Sequence, residues 1–314
     1  KDFPNREIKK GIAQPWAIAK DYNSVDATSI LETTHKELQT AAFLIIQNDS
    51  LFHESYFDGY TKGSKSNSFS MAKSVITMAL GKAIMEGKIK NLDQKVIDFL
   101  PELKGEFAKE VTVGDLSSMA SGLNWDEKYY SPLSIVTRAY FDDDLREVML
   151  GLEINEKPGQ SFKYLSGATQ LLAMCIEKAT GEYVADYVSK HFWQPMGAEN
   201  EALWQLDHED DGIEKAYCCI ASNGITRRPV GRADVAQIAC GPLCCQHCVL
   251  EDCALRVKRS VTCVIVVGCH PNFAGACAVE IVVCDDLVGR QCTDRGFVLV
   301  VFGPDLIIGV VCQG

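Results

Sequence analysis

Ser64-Lys65-Ser66-Asn67-Ser68-Phe69-Ser70-Met71-Ala72-Lys73 is the stretch on which the reading of this chain turns. Up to Ser68 it is short and polar, the composition of a loop. Beyond Lys73, Val75, Met78, Ala79, Ala83 and Ile84 recur at helical spacing until Gly87 breaks the pattern. The spacing predicts a helix opening at Ser70. In a first turn the free backbone N–H groups and the positive end of the helix dipole favour developing negative charge. Lys73 lies three residues on, so both side chains leave one face of that turn. A lysine held against a serine hydroxyl takes its proton once burial or a nearby cation lowers the lysine's pKa. Ser70 and Lys73 therefore read as a nucleophile with its base. Alone, Ser-x-x-Lys recurs in many proteins without meaning, so the rest of the chain must support it.

Upstream, residues 41–47 and 51–57 read as two strands joined by Asn48-Asp49-Ser50, which is turn chemistry, and so as a hairpin. Downstream to about residue 200 the pattern is helical. A helix starts near Asp115, others run from Leu145 to Leu152 and from Gln170 to Thr180, and one from Tyr183 to Trp193 closes at Pro195 and Gly197. Past residue 260 the period changes. Runs rich in Val and Ile at 261–268, 276–284, 297–302 and 306–312 are separated by Gly, Pro or Asp. Strands stand at both ends of the chain and helices in the middle. The economical architecture is α+β: one antiparallel sheet built from both termini, with a helical domain inserted. On this reading residues 1–63 and 224–314 form an α/β sheet domain, and 64–223 a mainly helical one.

The chain has 314 residues, ample for a buried core, and a net charge of −11, which disfavours nucleic-acid and anionic-membrane partners. No apolar run is long enough to span a bilayer. The opening residues Lys1-Asp2-Phe3-Pro4 carry no hydrophobic signal core. That suits a cytosolic protein or one already trimmed, with a periplasmic or secreted location slightly favoured. Of 14 cysteines, only Cys175, Cys218 and Cys219 precede residue 224, and Lys258 is the single lysine after it. A break of this kind marks a change of domain or of reading frame.

Four segments now fall in order. Ser70-Met71-Ala72-Lys73 opens a helix; Thr112-Val113-Gly114-Asp115-Leu116-Ser117-Ser118-Met119-Ala120-Ser121-Gly122-Leu123 is a helix ending in a Ser-Gly turn. Pro158-Gly159-Gln160-Ser161-Phe162-Lys163-Tyr164-Leu165-Ser166-Gly167 is a loop presenting Tyr164, and Phe192-Trp193-Gln194-Pro195-Met196-Gly197 ends a helix. Together they resemble the serine β-lactamase and penicillin-binding-protein superfamily, in its class C-related branch. That branch also holds D-alanyl-D-alanine carboxypeptidases, β-lactamase-like esterases and 6-aminohexanoate-oligomer hydrolases. The resemblance covers roughly residues 30–223, and implies a β-lactamase/transpeptidase-like fold.

It also implies a chemistry. Ser70 attacks a carbonyl, Lys73 and Tyr164 move the proton, a covalent acyl-enzyme forms and water releases the acid, with no metal and no cofactor. The oxyanion would sit on the Ser70 N–H and an N–H from a late strand. The family's Tyr-x-Asn here reads Tyr164-Leu165-Ser166, as in the 6-aminohexanoate-oligomer hydrolases. Ser166 would then meet the substrate with a hydroxyl in place of the amide, which favours linear amides or esters over β-lactams. The third motif, Lys/His-Thr/Ser-Gly, has no clean match. Its slot falls near Arg290-Gln291-Cys292, where Arg290 would bind a substrate carboxylate and Arg295 competes.

Two function classes follow. One is a serine hydrolase acting on a small-molecule or peptide-like amide, β-lactam or ester. The other is a catalytically silent or stalled penicillin-binding-like sensor. The sequence leaves the substrate and the oligomeric state open. Cys240, Cys244, Cys245, His247, Cys248 and Cys253 crowd together but lack the paired spacing of a zinc ribbon, so the expectation is no metal. A disulfide framework is not expected in a chain this large with such irregular spacing.

Overall fold

The structure, a computed structural model, describes residues 3–129 and 131–223, together with the backbone of four later strands, 262–269, 277–284, 298–300 and 309–311. The hairpin stands where the sequence places it. Strand β3 (Thr40–Gln47) pairs antiparallel with β4 (Ser50–Tyr56). Asn48 and Asp49 both adopt positive φ, 51° and 59°, the backbone that tight two-residue turns require. One face of the pair packs Ala42, Leu44, Ile46 and Leu51 into a small apolar cluster, with Trp16, Tyr22 and Tyr56 against it.

The two ends of the chain meet in one sheet. β8 (Thr262–Cys269) pairs antiparallel with β3 over its length, followed outward by β9 (Cys277–Cys284), β10 (Val298–Val300) and β11 (Gly309–Val311). The order is β11-β10-β9-β8-β3-β4-β2. Its far edge corrects the purely antiparallel expectation: the two-residue strand β2 (Ala17–Ile18) joins β4 in parallel. A second, four-stranded sheet, β1-β6-β7-β5, was not expected at all. It consists of Asn5–Ile8, Ala202–Gln205, Ile220–Asn223 and Lys65–Asn67, strands too short for a two-residue period to announce.

The helical layer forms the larger core. Helix α2 (Ala72–Met85) buries Ala72, Ile76, Ala79, Leu80 and Ala83 on one face and packs on α6 (Ser166–Thr180). α6 is buried on every side from Ser166 to Ile176, the signature of a central helix. Between them run α3 (Val113–Ser117), α4 (Ile135–Phe141) and α5 (Leu145–Leu150), and α7 (Val184–Val188) follows α6. Three boundaries differ from the sequence reading. Ser70 lies in a 3-10 turn, Phe69–Met71, just before α2. α3 closes at Ser117 because Met119 turns left-handed (φ 58°) while the Ser118 and Ala120 amides return to Gly114 and Asp115. α6 begins four residues before Gln170, for a reason given below.

Candidate active site

The turn that carries Ser70 is held by bonds to residues on either side of it in sequence. Strand β5 ends at Asn67, paired to Ala221 of β7, and the Ser68 amide donates to the Ile220 carbonyl at 2.7 Å. Asn67 Oδ1 then accepts the Phe69 amide at 3.0 Å. Phe69 itself is left-handed, φ 43°, an unfavourable backbone for a bulky residue that the flanking bonds hold in place. Ser70 follows, half-buried, at the foot of α2.

Lys73 belongs to the buried face of α2 and is 6% exposed. Its Nζ donates to Ser70 Oγ at 3.0 Å and to the Tyr217 carbonyl at 2.7 Å. Burial lowers its pKa to about 7, against which the charge of Glu127 acts upward. A substantial fraction is therefore neutral near pH 7, with a lone pair beside the serine hydroxyl. The structure thus brings Ser70 and Lys73 together.

Tyr164 completes the cluster. Lys73 Nζ stands 5.1 Å from the centre of its ring. Burial raises the phenol to about 12, the facing Ser70 hydroxyl draws it down, and Glu127 pushes it up. The Tyr164 hydroxyl is buried with no hydrogen-bond partner of ordinary geometry among the described residues. Its loop is pinned on both flanks by one residue: the Lys163 amide donates to the Met119 carbonyl (2.8 Å) and the Leu165 amide to Met119 Sδ (3.4 Å). Gly122 lets that loop pass, since a Cβ there would fall 2.0 Å from the Glu156 carbonyl oxygen.

Ser166 is the first residue of α6 and is buried, its amide donating to the Glu127 carboxylate. Arg290 and its competitor Arg295 lie outside the described residues, as does the cysteine-rich run 240–253. Among the described residues no group of three or more His, Cys, Asp or Glu is arranged to hold a metal ion. Cys218 and Cys219 are joined as a disulfide between neighbours, a pairing that spacing arguments about loop frameworks do not address.

Two contributors escaped the sequence. The Tyr217 carbonyl is a backbone group and leaves no side-chain signal; Gln170 places it. From α6, Gln170 donates to the Glu214 carbonyl (2.9 Å) and accepts the Ala216 amide (2.8 Å), clamping the segment that ends at Tyr217. Glu127 lies in the irregular stretch after α3, where neither period nor motif marks it.

A family model described as Beta-lactamase matches residues 27–235, a span that holds Ser70, Lys73, Glu127, Tyr164 and Tyr217. The chain belongs to the beta-lactamase family. It is 27% identical over 213 residues to the 6-aminohexanoate-dimer hydrolase of Paenarthrobacter ureafaciens, covering 64% of this chain and 53% of that one. It is 22% identical over 200 residues to Protein flp of Staphylococcus aureus, covering 60% and 40%. The chain thus spans about half the length of the curated relatives it matches. Among solved structures, a Bacillus anthracis protein named provisionally as a 6-aminohexanoate-dimer hydrolase superposes with TM-score 0.61 at 21% identity, over 75% of this chain and 65% of that one. A penicillin-binding protein from Bacillus halodurans gives 0.54 at 12% identity, over 80% and 90%. These likenesses establish a β-lactamase/transpeptidase-like α+β fold. Among the described residues no helix is long and apolar enough to cross a membrane.

Proposed function

We propose that this chain is a serine hydrolase that works through a covalent acyl-enzyme on Ser70. The observation that carries this reading is the 3.0 Å contact between Ser70 Oγ and a buried Lys73 whose pKa is lowered to about 7. At neutral pH the two proton affinities divide the labour, with Lys73 the resting base and Tyr164, raised to about 12, the resting acid. Ser70 Oγ attacks the carbonyl carbon and its proton passes to Lys73. As the tetrahedral adduct collapses, the phenol protonates the departing nitrogen or oxygen and Lys73 returns a proton to the phenolate. Water then attacks the acyl-enzyme by the reverse relay, freeing the acid and Ser70. The Ser70 N–H would supply one oxyanion donor.

Within this class the reading favours a linear amide or ester over a β-lactam. Tyr164-Leu165-Ser166 lacks the asparagine of the usual motif, and a relative at 27% identity is a 6-aminohexanoate-dimer hydrolase. The substrate is small or peptide-like. The rival reading, a silent or stalled penicillin-binding-like sensor, draws on the absent Lys/His-Thr/Ser-Gly motif alone. Turnover of a p-nitrophenyl ester, a linear 6-aminohexanoyl amide and a chromogenic cephalosporin, each against Ser70→Ala, tests the proposal. Hydrolysis of ester or amide that vanishes in Ser70→Ala is expected. Equal activity in that variant would remove Ser70 from the mechanism, and a persistent adduct without product would favour the sensor.

A further inference from the structure

We propose that Glu127 is a positioning residue of this site: its carboxylate anchors the Tyr164 loop by capping α6 and places a buried negative charge among the groups that surround Ser70. The inference rests on the acyl-transfer reading above.

The anchoring half comes from where α6 begins. The residue before its first turn is Leu165, which has no side-chain oxygen and caps nothing. A helix that starts this way leaves amide donors without partners, and a buried one needs them satisfied. Glu127 Oε1 takes the Ser166 amide from 39 residues away in sequence. A carboxylate at a helix N-terminus is favoured by both the hydrogen bond and the dipole. Ser166 lies two residues beyond Tyr164. Together with the Met119 contacts to Lys163 and Leu165, the segment 119–127 grips the tyrosine loop at three successive points.

The charge half comes from the other carboxylate oxygen. Glu127 Oε2 is buried with no hydrogen-bond partner of ordinary geometry among the described residues, and the Tyr129 phenol is the hydrogen-bonding neighbour of this carboxylate. A buried carboxylate is costly unless donors and a positive charge stand near. The groups that feel Glu127 come from each surrounding element: Lys73 of α2, Tyr164 ahead of α6, Tyr217 ahead of β7, and Tyr129 of its own segment. Of these only Lys73 can be cationic. The neighbouring Asp126 and Lys128 are exposed and pair with each other. The sign is the same for both working groups: the Glu127 charge favours protonated Lys73 and protonated Tyr164.

Two variants separate the halves. Glu127→Gln keeps an oxygen for the Ser166 amide and removes the charge, while Glu127→Ala removes both. The measurements are kcat and KM for a p-nitrophenyl ester across pH, and hydrogen–deuterium exchange of the peptide spanning residues 164–168. In Glu127→Gln the exchange stays slow, KM holds, and both limbs of the kcat/KM profile move to lower pH by about 0.5–1 unit. In Glu127→Ala exchange quickens and kcat falls about tenfold or more. A Glu127→Gln profile that superimposes on that of the unaltered chain would overturn the charge half, since a purely structural role predicts that outcome. Unchanged exchange in Glu127→Ala would overturn the anchor. An inactive unaltered chain would instead defeat the acyl-transfer reading, and the exchange measurement would still decide the anchor.

Discussion

Burying an amine beside a serine hydroxyl is unfavourable for the fold, and in the proposed mechanism the same burial is what makes Lys73 a base. Its pKa is lowered from 10.5 to about 7, so the folded chain binds fewer protons than the unfolded one between those values. Stability therefore rises with pH across that window, and the cost of burial is present in full below about pH 7. Lys73→Met removes the cost. Its melting temperature should exceed that of the unaltered chain at pH 6, with the margin shrinking by pH 10; a constant margin would mean that Lys73 titrates normally. Catalysis runs the opposite way, with Lys73→Met losing about 10²–10⁴ in rate. In the unaltered chain kcat/KM should climb through about pH 7 as Lys73 loses its proton, and a flat profile from pH 5 to 8 would contradict the assignment of the base. Ser70 and Lys73 were legible because a three-residue spacing on one turn is a local fact. Tyr217 was not, because the site uses its carbonyl. Glu127 was not, because its hydrogen bond crosses 39 residues.

Elements differ in how far their boundaries can be read, and α6 is the instructive case. Its apolar run from Leu171 announces a helix, yet its first turn depends on a carboxylate from a distant loop and so starts earlier than local signals say. α3 shows the reverse: the Thr112 and Asp115 side chains form a reciprocal cap visible in sequence, whereas its early stop rests on a left-handed Met119 that no residue preference predicts. The same helix layer makes a sharp prediction at Gln170. Gln170→Ala leaves the buried Glu214 carbonyl and Ala216 amide without these partners, which costs about 1–3 kcal/mol of stability by chemical denaturation. It also loosens the Tyr217 carbonyl against Lys73, so kcat should fall beyond what the stability loss explains. Full activity in a destabilised Gln170→Ala would show that the clamp serves the fold alone.

Across the molecule, strands at both termini and helices between them sufficed to put both ends of the chain in one sheet; that β8 is the strand beside β3 was not readable. Apolar β-branched runs at each end have few other ways to bury both faces. The small second sheet was illegible because strands of three or four residues carry too little pattern. The β3–β8 pairing has a consequence for any shortened chain. Ending it at residue 223 bares the edge of β3, an apolar strand with open amides and carbonyls. Residues 1–223 alone should therefore self-associate under conditions where the full 314-residue chain does not. A folded, monomeric 1–223 by light scattering would mean that β8 is dispensable to the sheet.

Ser70 as nucleophile is put to the test by intact-mass spectrometry after brief exposure to an activated ester, quenched in acid. A single acyl increment that peptide mapping assigns to Ser70 is expected, absent from Ser70→Ala and accumulating in Lys73→Ala only slowly. An increment on any other residue, or one that persists undiminished in Ser70→Ala, would contradict that role.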